Sequence, residues 1–322
     1  MKRRLELSLA VAATLGFAIW LVGCGRPLVG GDSEGPTGTI TVSGAWALYP
    51  TMIRWGEEYQ KLHPQVQFDI SAGGAGKGMA DVLGGAVDIG MVSRDIAPEE
   101  EAKGAFWVPV TKDAVFVTVS DKNPVLEDLS TRGVTRRTFE GIYITGDITT
   151  WGQVIGRPEI TDPIHVYTRS DAAGAPETWA KYLGKKQENL LGIGIYGDPG
   201  ILDAVVKDPL GISYNNLNYA FDASTGKPVA GVDVLAIDAN ENGKADPDEQ
   251  LKSKVAALDA VTNGRYPSPP ARVLNLVTKG RPSGLARAFI LWVLGDGQKL
   301  AAEVGYVPLT DRQLAEAHDK LK

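Results

Sequence analysis

The chain has 322 residues, 43 % hydrophobic and 22 % charged, with 33 basic and 39 acidic side chains and a net charge of −6. That is the make-up of an ordinary soluble body long enough for two domains with real cores. The acidic balance supplies no basic face for nucleic acid, but it leaves a small anion open as a partner, because a buried site answers to local donors more than to net charge.

Lys2, Arg3 and Arg4 precede a mostly apolar run over residues 5–22 that ends in Leu21-Val22-Gly23-Cys24. A basic start, a short greasy segment and small residues before the cut describe a secretory signal over residues 1–23. A cysteine directly after Leu-Val-Gly is the pattern of a bacterial lipobox, with Cys24 lipidated as the first mature residue. A membrane-spanning anchor is the competing reading, since the run of 18 residues is close to spanning length. Cys24 is the only cysteine, so no disulfide is possible and no thiol remains for metal or nucleophilic work. Removing residues 1–23 leaves 30 basic and 38 acidic side chains, a mature charge near −8. Residues 24–38, rich in Gly, Pro and Ser, read as a flexible tether between the lipid and the folded body.

Residues 39–43 read as a strand leading into the turn Ser43-Gly44-Ala45-Trp46-Ala47-Leu48-Tyr49-Pro50. Residues 51–62 carry Met52, Ile53, Trp55, Tyr59 and Leu62 at helical spacing, stopped by His63-Pro64. A second strand, 66–71, feeds the turn Ala72-Gly73-Gly74-Ala75-Gly76-Lys77 and a helix over 78–83, and 87–92 is a third strand. Lys77 sits in a glycine-rich turn, but the spacing of a nucleotide P-loop is absent. Residues 107–120 form a long apolar strand crossing from one domain to the other. Helical pattern near 138–143 and a strand over 164–168 lead to a third turn, Arg169-Ser170-Asp171-Ala172-Ala173-Gly174-Ala175, and a helix over 176–183. A helix at 201–206 and a strand at 211–214 follow, with Asn215 and Asn216 read as turn residues in preference to lining the cleft. A strand at 272–278 returns to the first domain, followed by helices at 285–294 and 298–304. This order gives an α/β fold with lobe 1 over 39–112 and 271–322 and lobe 2 over 113–270. Each lobe would hold a mostly parallel sheet flanked by helices, with a cleft between them and a hinge in the crossing strands.

Each of the three turns runs into a helix, whose first N–H groups lack partners and carry partial positive charge. Meeting in one cleft, they would make an anion site that needs few side chains. His63, His165 and His318 are far apart with no ligand pattern nearby, and no nucleophile stands with a base, so no enzyme is expected.

Residues 238–249 satisfy D-x-[DN]-x-[DN]-G-x5-E at every required position. Asp238, Asn240, Asn242, Asp246 and Glu249 offer side-chain oxygens and Lys244 its carbonyl, a set suited to calcium, with Gly243 at the sharp turn. A strand over 232–237 precedes the loop where a paired sensor would have a helix. The ion is therefore read as structural.

The three turns in order, Phe139-Glu-Gly-Ile-Tyr-Ile-Thr-Gly-Asp-Ile-Thr-Thr-Trp151, and Gly197-Asp-Pro-Gly200 followed by Gly211-Ile-Ser-Tyr214 resemble the phosphate-binding receptors of bacterial ABC importers. The resemblance covers nearly all of the chain from Thr39. It implies a two-lobed type II periplasmic-binding-protein fold, a lipoprotein on the extracytoplasmic side, a membrane-embedded permease as partner, a monomer and no catalysis. It also implies that an anion is held by Ala47, Leu48 and Tyr49, by Ala75 and Gly76, by Ser93 and Arg94 before Asp95, by Arg169 with Asp171 pairing to it, and by Ala173, Gly174 and Ala175. Where that family uses Ser or Thr hydroxyls, this chain has Ala47 or Leu48, Ala75, Ala173 and Ala175. A hydrogen bond to a charged group is worth roughly 1.5–3 kcal/mol, so peptide N–H groups and Arg169 must carry the loss. The same changes imply a wider, more apolar pocket near Trp46 and Leu48. Phosphate is the first expectation. A larger or organic anion, or a calcium-stabilised structural lipoprotein without a small ligand, are the alternatives.

Overall fold

The computed structural model describes residues 35–322. The leader, Cys24 and the first part of the tether lie outside the described residues.

β1 (Gly38–Gly44) leads through a 3-10 turn (Trp46–Leu48) into α1 (Tyr49–Leu62), β2 (Val66–Ala72), α2 (Ala75–Gly84), β3 (Ile89–Val92), α3 (Pro98–Ala102) and the long β4 (Ala105–Ser120). Helix α1 buries Met52, Trp55 and Tyr59, which its period places on one face, and it stops before Pro64, where a backbone N–H is missing. Helix α2 lies directly on sheet backbone. A Cβ on Gly78 would come within 2.8 Å of the Gly44 Cα, so only glycine lets the helix settle there.

The second half of the chain gives α4 (Leu126–Arg132), α5 (Arg136–Glu140) continued by a π-helical turn, α6 (Trp151–Ile155), β5 (His165–Arg169), α7 (Gly174–Tyr182), β6 (Ile193–Ile195), α8 (Gly197–Lys207), β7 (Gly211–Asn216), α9 (Leu217–Ala220), β8 (Val232–Val234) and α10 (Lys254–Thr262). The chain then returns through β9 (Ala271–Lys279) to α11 (Gly284–Leu294), α12 (Gly297–Glu303) and α13 (Asp311–Lys320). The strand expected over 232–237 ends at Val234, and Ile237 instead makes a single bridge to Val134.

The strands join in the order β2-β1-β3-β9-β4-β7-β5-β6, with β8 beside β4. Parallel pairing is confined to β1 with β2 and β3, and to β5 with β6 and β7. The crossing strands β4 and β9 run antiparallel to each other and to their neighbours, so the sheet is mixed rather than mostly parallel. A chain that leaves one lobe and comes back on the adjacent strand must run the opposite way. Their register shifts between Pro109 and Thr111, where proline has no N–H to give the ladder.

Two hydrophobic cores lie along this sheet. One draws on residues from Ile40 to Val110 and from Leu274 to Leu321, the other on Ala114 to Ala271. The second is centred on Trp179, whose ring lies 5.1 Å from Phe139 and 5.3 Å from Tyr182. Truncating such a ring costs about 3–5 kcal/mol. Among the described residues no helix is long and apolar enough to cross a membrane.

Candidate anion site between the lobes

The C-terminal ends of β1, β2, β3, β5 and β7 face one another across the lobes, because parallel strands place their following turns on the same edge. At the end of β5, Thr168 and the Arg169 N–H both bond the Tyr214 hydroxyl on β7, at 2.7 and 3.3 Å. This fixes the strand end from which the Arg169 side chain leaves. Its Nε and Nη2 make a forked pair with Asp171 at 2.7 and 2.5 Å, and its Nη1 meets Asp198 at 2.5 Å. Burial works against this guanidinium, but Asp198 and then Asp171 outweigh it and raise its pKa above the ordinary value. Three of its five N–H groups are spent, leaving one on each Nη for a ligand.

Asp198, fully buried on α8, is itself oriented by the Asn216 N–H at 3.0 Å and the Asn216 amide at 2.8 Å. Arg272 on β9 reaches the Asn216 side chain, the Gly174 carbonyl at 2.6 Å and Thr178 at 2.9 Å. It thereby pins the first turn of α7. Gln187 holds the preceding turn from outside, accepting from the Ala173 N–H at 3.3 Å and donating to the Asp171 carbonyl at 2.7 Å.

Arg169, Asp198 and Asn216 border a space of about 130 Å³ that also touches Trp46, Gly74, Ala75, Ser93, Ala173, Gly174 and Ala175. The three small-residue turns therefore do meet. Among the described residues the N–H groups of Ala75, Gly174 and Ala175 have no hydrogen-bond partner, as expected for first-turn positions. Pro176, third in α7, wastes no donor there. The Trp46 indole N–H is likewise buried without a partner. The site is thus a ring of donors around one guanidinium, with carboxylates behind it.

Several expected positions are placed differently. The Gly76 N–H is not free: it donates across the lobes to the Ala172 carbonyl at 2.9 Å. Gly74, at φ +93°, lies so close to that turn that a Cβ would come within 2.8 Å of the Ala172 oxygen and of Asp171. Leu48 is fully buried in the lobe 1 core, where Ala47 also packs, and Tyr49 begins α1 with its ring 6.2 Å from Trp46. Arg94 turns away from the space to Glu100 and Glu177, and Asp95 reaches Lys181. The wider, more apolar pocket is not found. The turns approach so closely, Gly174 against Ser93 and Gly74 against Ala172, that no point of the space seats a water-sized sphere. Trp46 covers it against Tyr196, Tyr219 and Gly197.

Asp198 and Arg272 were not legible as site residues, and Asn216, for which a turn was preferred over the cleft lining, ends β7 and borders the space. Asp198, Asn216 and Arg272 stand 29, 47 and 103 residues from Arg169 in sequence, and only Asp198 lies in a quoted motif. Among the described residues no three His, Cys, Asp or Glu side chains converge as a metal set. In the loop 238–249, Asp238 accepts from the Asn242 and Gly243 N–H groups at 3.1 and 2.9 Å, and Glu249 accepts from Ala239 and Asp246 at 2.8 and 3.1 Å. The Asn240 and Asn242 amides both donate to Asp246 at 2.8 Å, while Lys244 donates its N–H to Asn242.

The sequence matches the PBP superfamily domain over residues 31–297. It is 26 % identical over 283 residues to the phosphate-binding protein PstS of Bacillus subtilis, covering 87 % of this chain and 84 % of that protein. It is 28 % identical to the phosphate-binding protein PstS of Methanocaldococcus jannaschii, covering 75 % and 69 %. Among solved structures, a putative phosphate ABC transporter substrate-binding protein with bound phosphate from Clostridium perfringens superposes with a TM-score of 0.69 at 24 % identity, covering 85 % of this chain and all of that one. An ABC-type phosphate transport receptor from Vibrio cholerae gives 0.61 at 20 %, covering 84 % and all of that chain. At those identities the structures speak for the fold alone, which is the two-lobed one described above. With two lobes, a shared pair of crossing strands and a match over most of its length, this chain belongs to the periplasmic-binding-protein (PBP) superfamily.

Proposed function

We propose that the chain is the extracytoplasmic solute receptor of an ABC importer and that it grips an oxyanion, phosphate first, between its lobes. The observation that carries this is the donor ring: Arg169 with two N–H groups to spare and the unpaired N–H groups of Ala75, Gly174, Ala175 and Trp46 around one small space. Donors that have no protein partner give up no hydrogen bond when the ligand arrives, which offsets the absent hydroxyls. The relatives' names support phosphate over other oxyanions. A tetrahedral anion would enter by parting the turns slightly, since the walls leave no room for a water.

One observation favours an organic anion as the second reading. A cavity of about 860 Å³, lined by Lys181, Lys185 and Lys186 and equally by Asp95, Glu177 and Glu188, also reaches Thr168 and Arg169, and an organic tail would lie there among charges of both signs. Calorimetry of the mature protein against phosphate, sulfate and organic phosphates tests both. Phosphate alone should give heat, and Arg169→Ala should abolish it. Heat with no anion would leave the structural-lipoprotein reading.

Cys24 as the lipid anchor, a membrane permease as partner and a monomeric state are part of the same proposal, resting on the sequence pattern and the family. So is a calcium ion at residues 238–249. Its support is an all-oxygen donor set of Asp238, Asn240, Asn242, Asp246, Glu249 and the Lys244 carbonyl, in a loop already wound around Asp238. Binding would require the two Asn amides to turn their oxygens toward the ion.

A further inference from the structure

Helix α7 presents Gly174, Glu177 and Lys181 on one face, three and then four residues apart. Three consecutive residues after β3 in the other lobe meet that face in order. Ser93 lies against Gly174, leaving no room for a Cβ. Arg94 Nε stands 3.2 Å from Glu177, and Lys181 Nζ stands 2.5 Å from Asp95. The two ion pairs have opposite polarity, so a slip of one step would set Arg94 against Lys181. Charge order thus selects one register. Arg94 is held ready for this by its own lobe, since Glu100 takes both Nη groups at 2.8 and 2.6 Å. Its side chain is 13 % exposed and Glu177's 45 %, whereas Asp95 and Lys181 are exposed at 82 % and 59 %. The inner pair therefore carries the attraction, and the outer, solvated pair adds mainly register.

We infer that the pairs Arg94–Glu177 and Asp95–Lys181 are an interlobe latch that sets how long the cleft stays shut, and that Arg94 is a positioning residue of the anion site. The retention of ligand rests on the reading of the space as an anion site; the latch itself does not. Arg94 touches no ligand in this arrangement. It holds α7 against lobe 1, and with it the Gly174 and Ala175 N–H groups. Ligand would leave only when the latch opens, so the pairs act on release.

The test uses the full chain and two readouts. The first is amide exchange at Gly76 without ligand, because its N–H bonds across the lobes to Ala172 at 2.9 Å and so reports closure. The second is stopped-flow release of inorganic phosphate. Glu177→Gln should speed Gly76 exchange and phosphate release about tenfold alike, with exchange in β1 unchanged. Lys181→Glu should open the cleft to a smaller extent, and Asp95→Lys with Lys181→Glu should restore it. Unchanged Gly76 exchange in Glu177→Gln overturns the latch, and faster exchange with unaltered release overturns its role in retention. If no phosphate binds to any variant, the anion reading fails, and Gly76 exchange alone decides the latch.

Discussion

Replacing Gly174 with alanine asks the lobes to part while leaving each lobe intact. The position is the first residue of α7, where alanine is the better helix former by up to about 1 kcal/mol. The new Cβ would stand 2.7 Å from the Ser93 carbonyl carbon and closer still to its two oxygens. Comfortable non-bonded separations are about 3.5 Å, so the turns must separate by about 1 Å. Helix α7 cannot yield within its own lobe, because Arg272 holds the Gly174 carbonyl at 2.6 Å. Opening by that amount would stretch the Gly76–Ala172 bond from 2.9 Å past bonding range and withdraw two peptide donors from the anion. At roughly 1.5–3 kcal/mol for each bond to a charged group, phosphate affinity should fall about 100-fold or more. The melting temperature should stay within a few degrees of the parent. Calorimetry with phosphate and a thermal melt on the same sample measure both. Parental affinity in Gly174→Ala would refute the claim that binding tolerates no more than a slight parting of the turns.

Asp113 on β4 is fully buried, and burial pushes its carboxyl from 3.8 to about 6 although Arg272, 3.6 Å away, draws it down. A raised carboxyl gives its full stability below the unfolded value and loses it as pH rises through the folded one. The parent should therefore lose about 3 kcal/mol relative to Asp113→Asn between about pH 4 and about pH 7. Urea melts at both pH values check this, and a constant difference would refute it. Trp46→Phe keeps an aromatic face but removes the indole's second ring with its buried, unpartnered N–H. The lost packing and the relieved N–H oppose each other, so stability should stay within about 1 kcal/mol while phosphate affinity drops about tenfold, and unchanged affinity would take the indole off the ligand. Chelation of calcium should lower the melting temperature by about 5 °C in the parent and leave Glu249→Gln unmoved. A parent melt that ignores the chelator refutes an ion at that loop.

Local pattern explains how much of the fold could be read from the chain. Met52, Trp55 and Tyr59 mark α1 because a helix must turn them to one side, and the period holds wherever the helix packs. Short or polar elements escaped: α3 buries no residue, α13 only Ala317, and β6 is half-exposed, so none has an apolar rhythm to detect. Mixed pairing escaped too, since strand direction depends on which neighbour the chain returns beside.

The site divides in the same way. Arg169 and Asp171 stand two residues apart at a strand end, and Ala173-Gly174-Ala175 begins a helix, so the chain alone brings a guanidinium, its fork and free peptide donors to one turn. Tertiary packing decided the rest. Lobe closure spent the Gly76 N–H on Ala172, turned Arg94 to Glu177, and left about 130 Å³ of a pocket whose small side chains implied width, while the packing of β5, α8 and β7 inside lobe 2 had already set Asp198 and Asn216 behind Arg169. The physical reason is distance along the chain. Short-range order follows from each residue's own sterics and hydrogen bonding, whereas these partners are chosen only when segments distant along the chain are packed together.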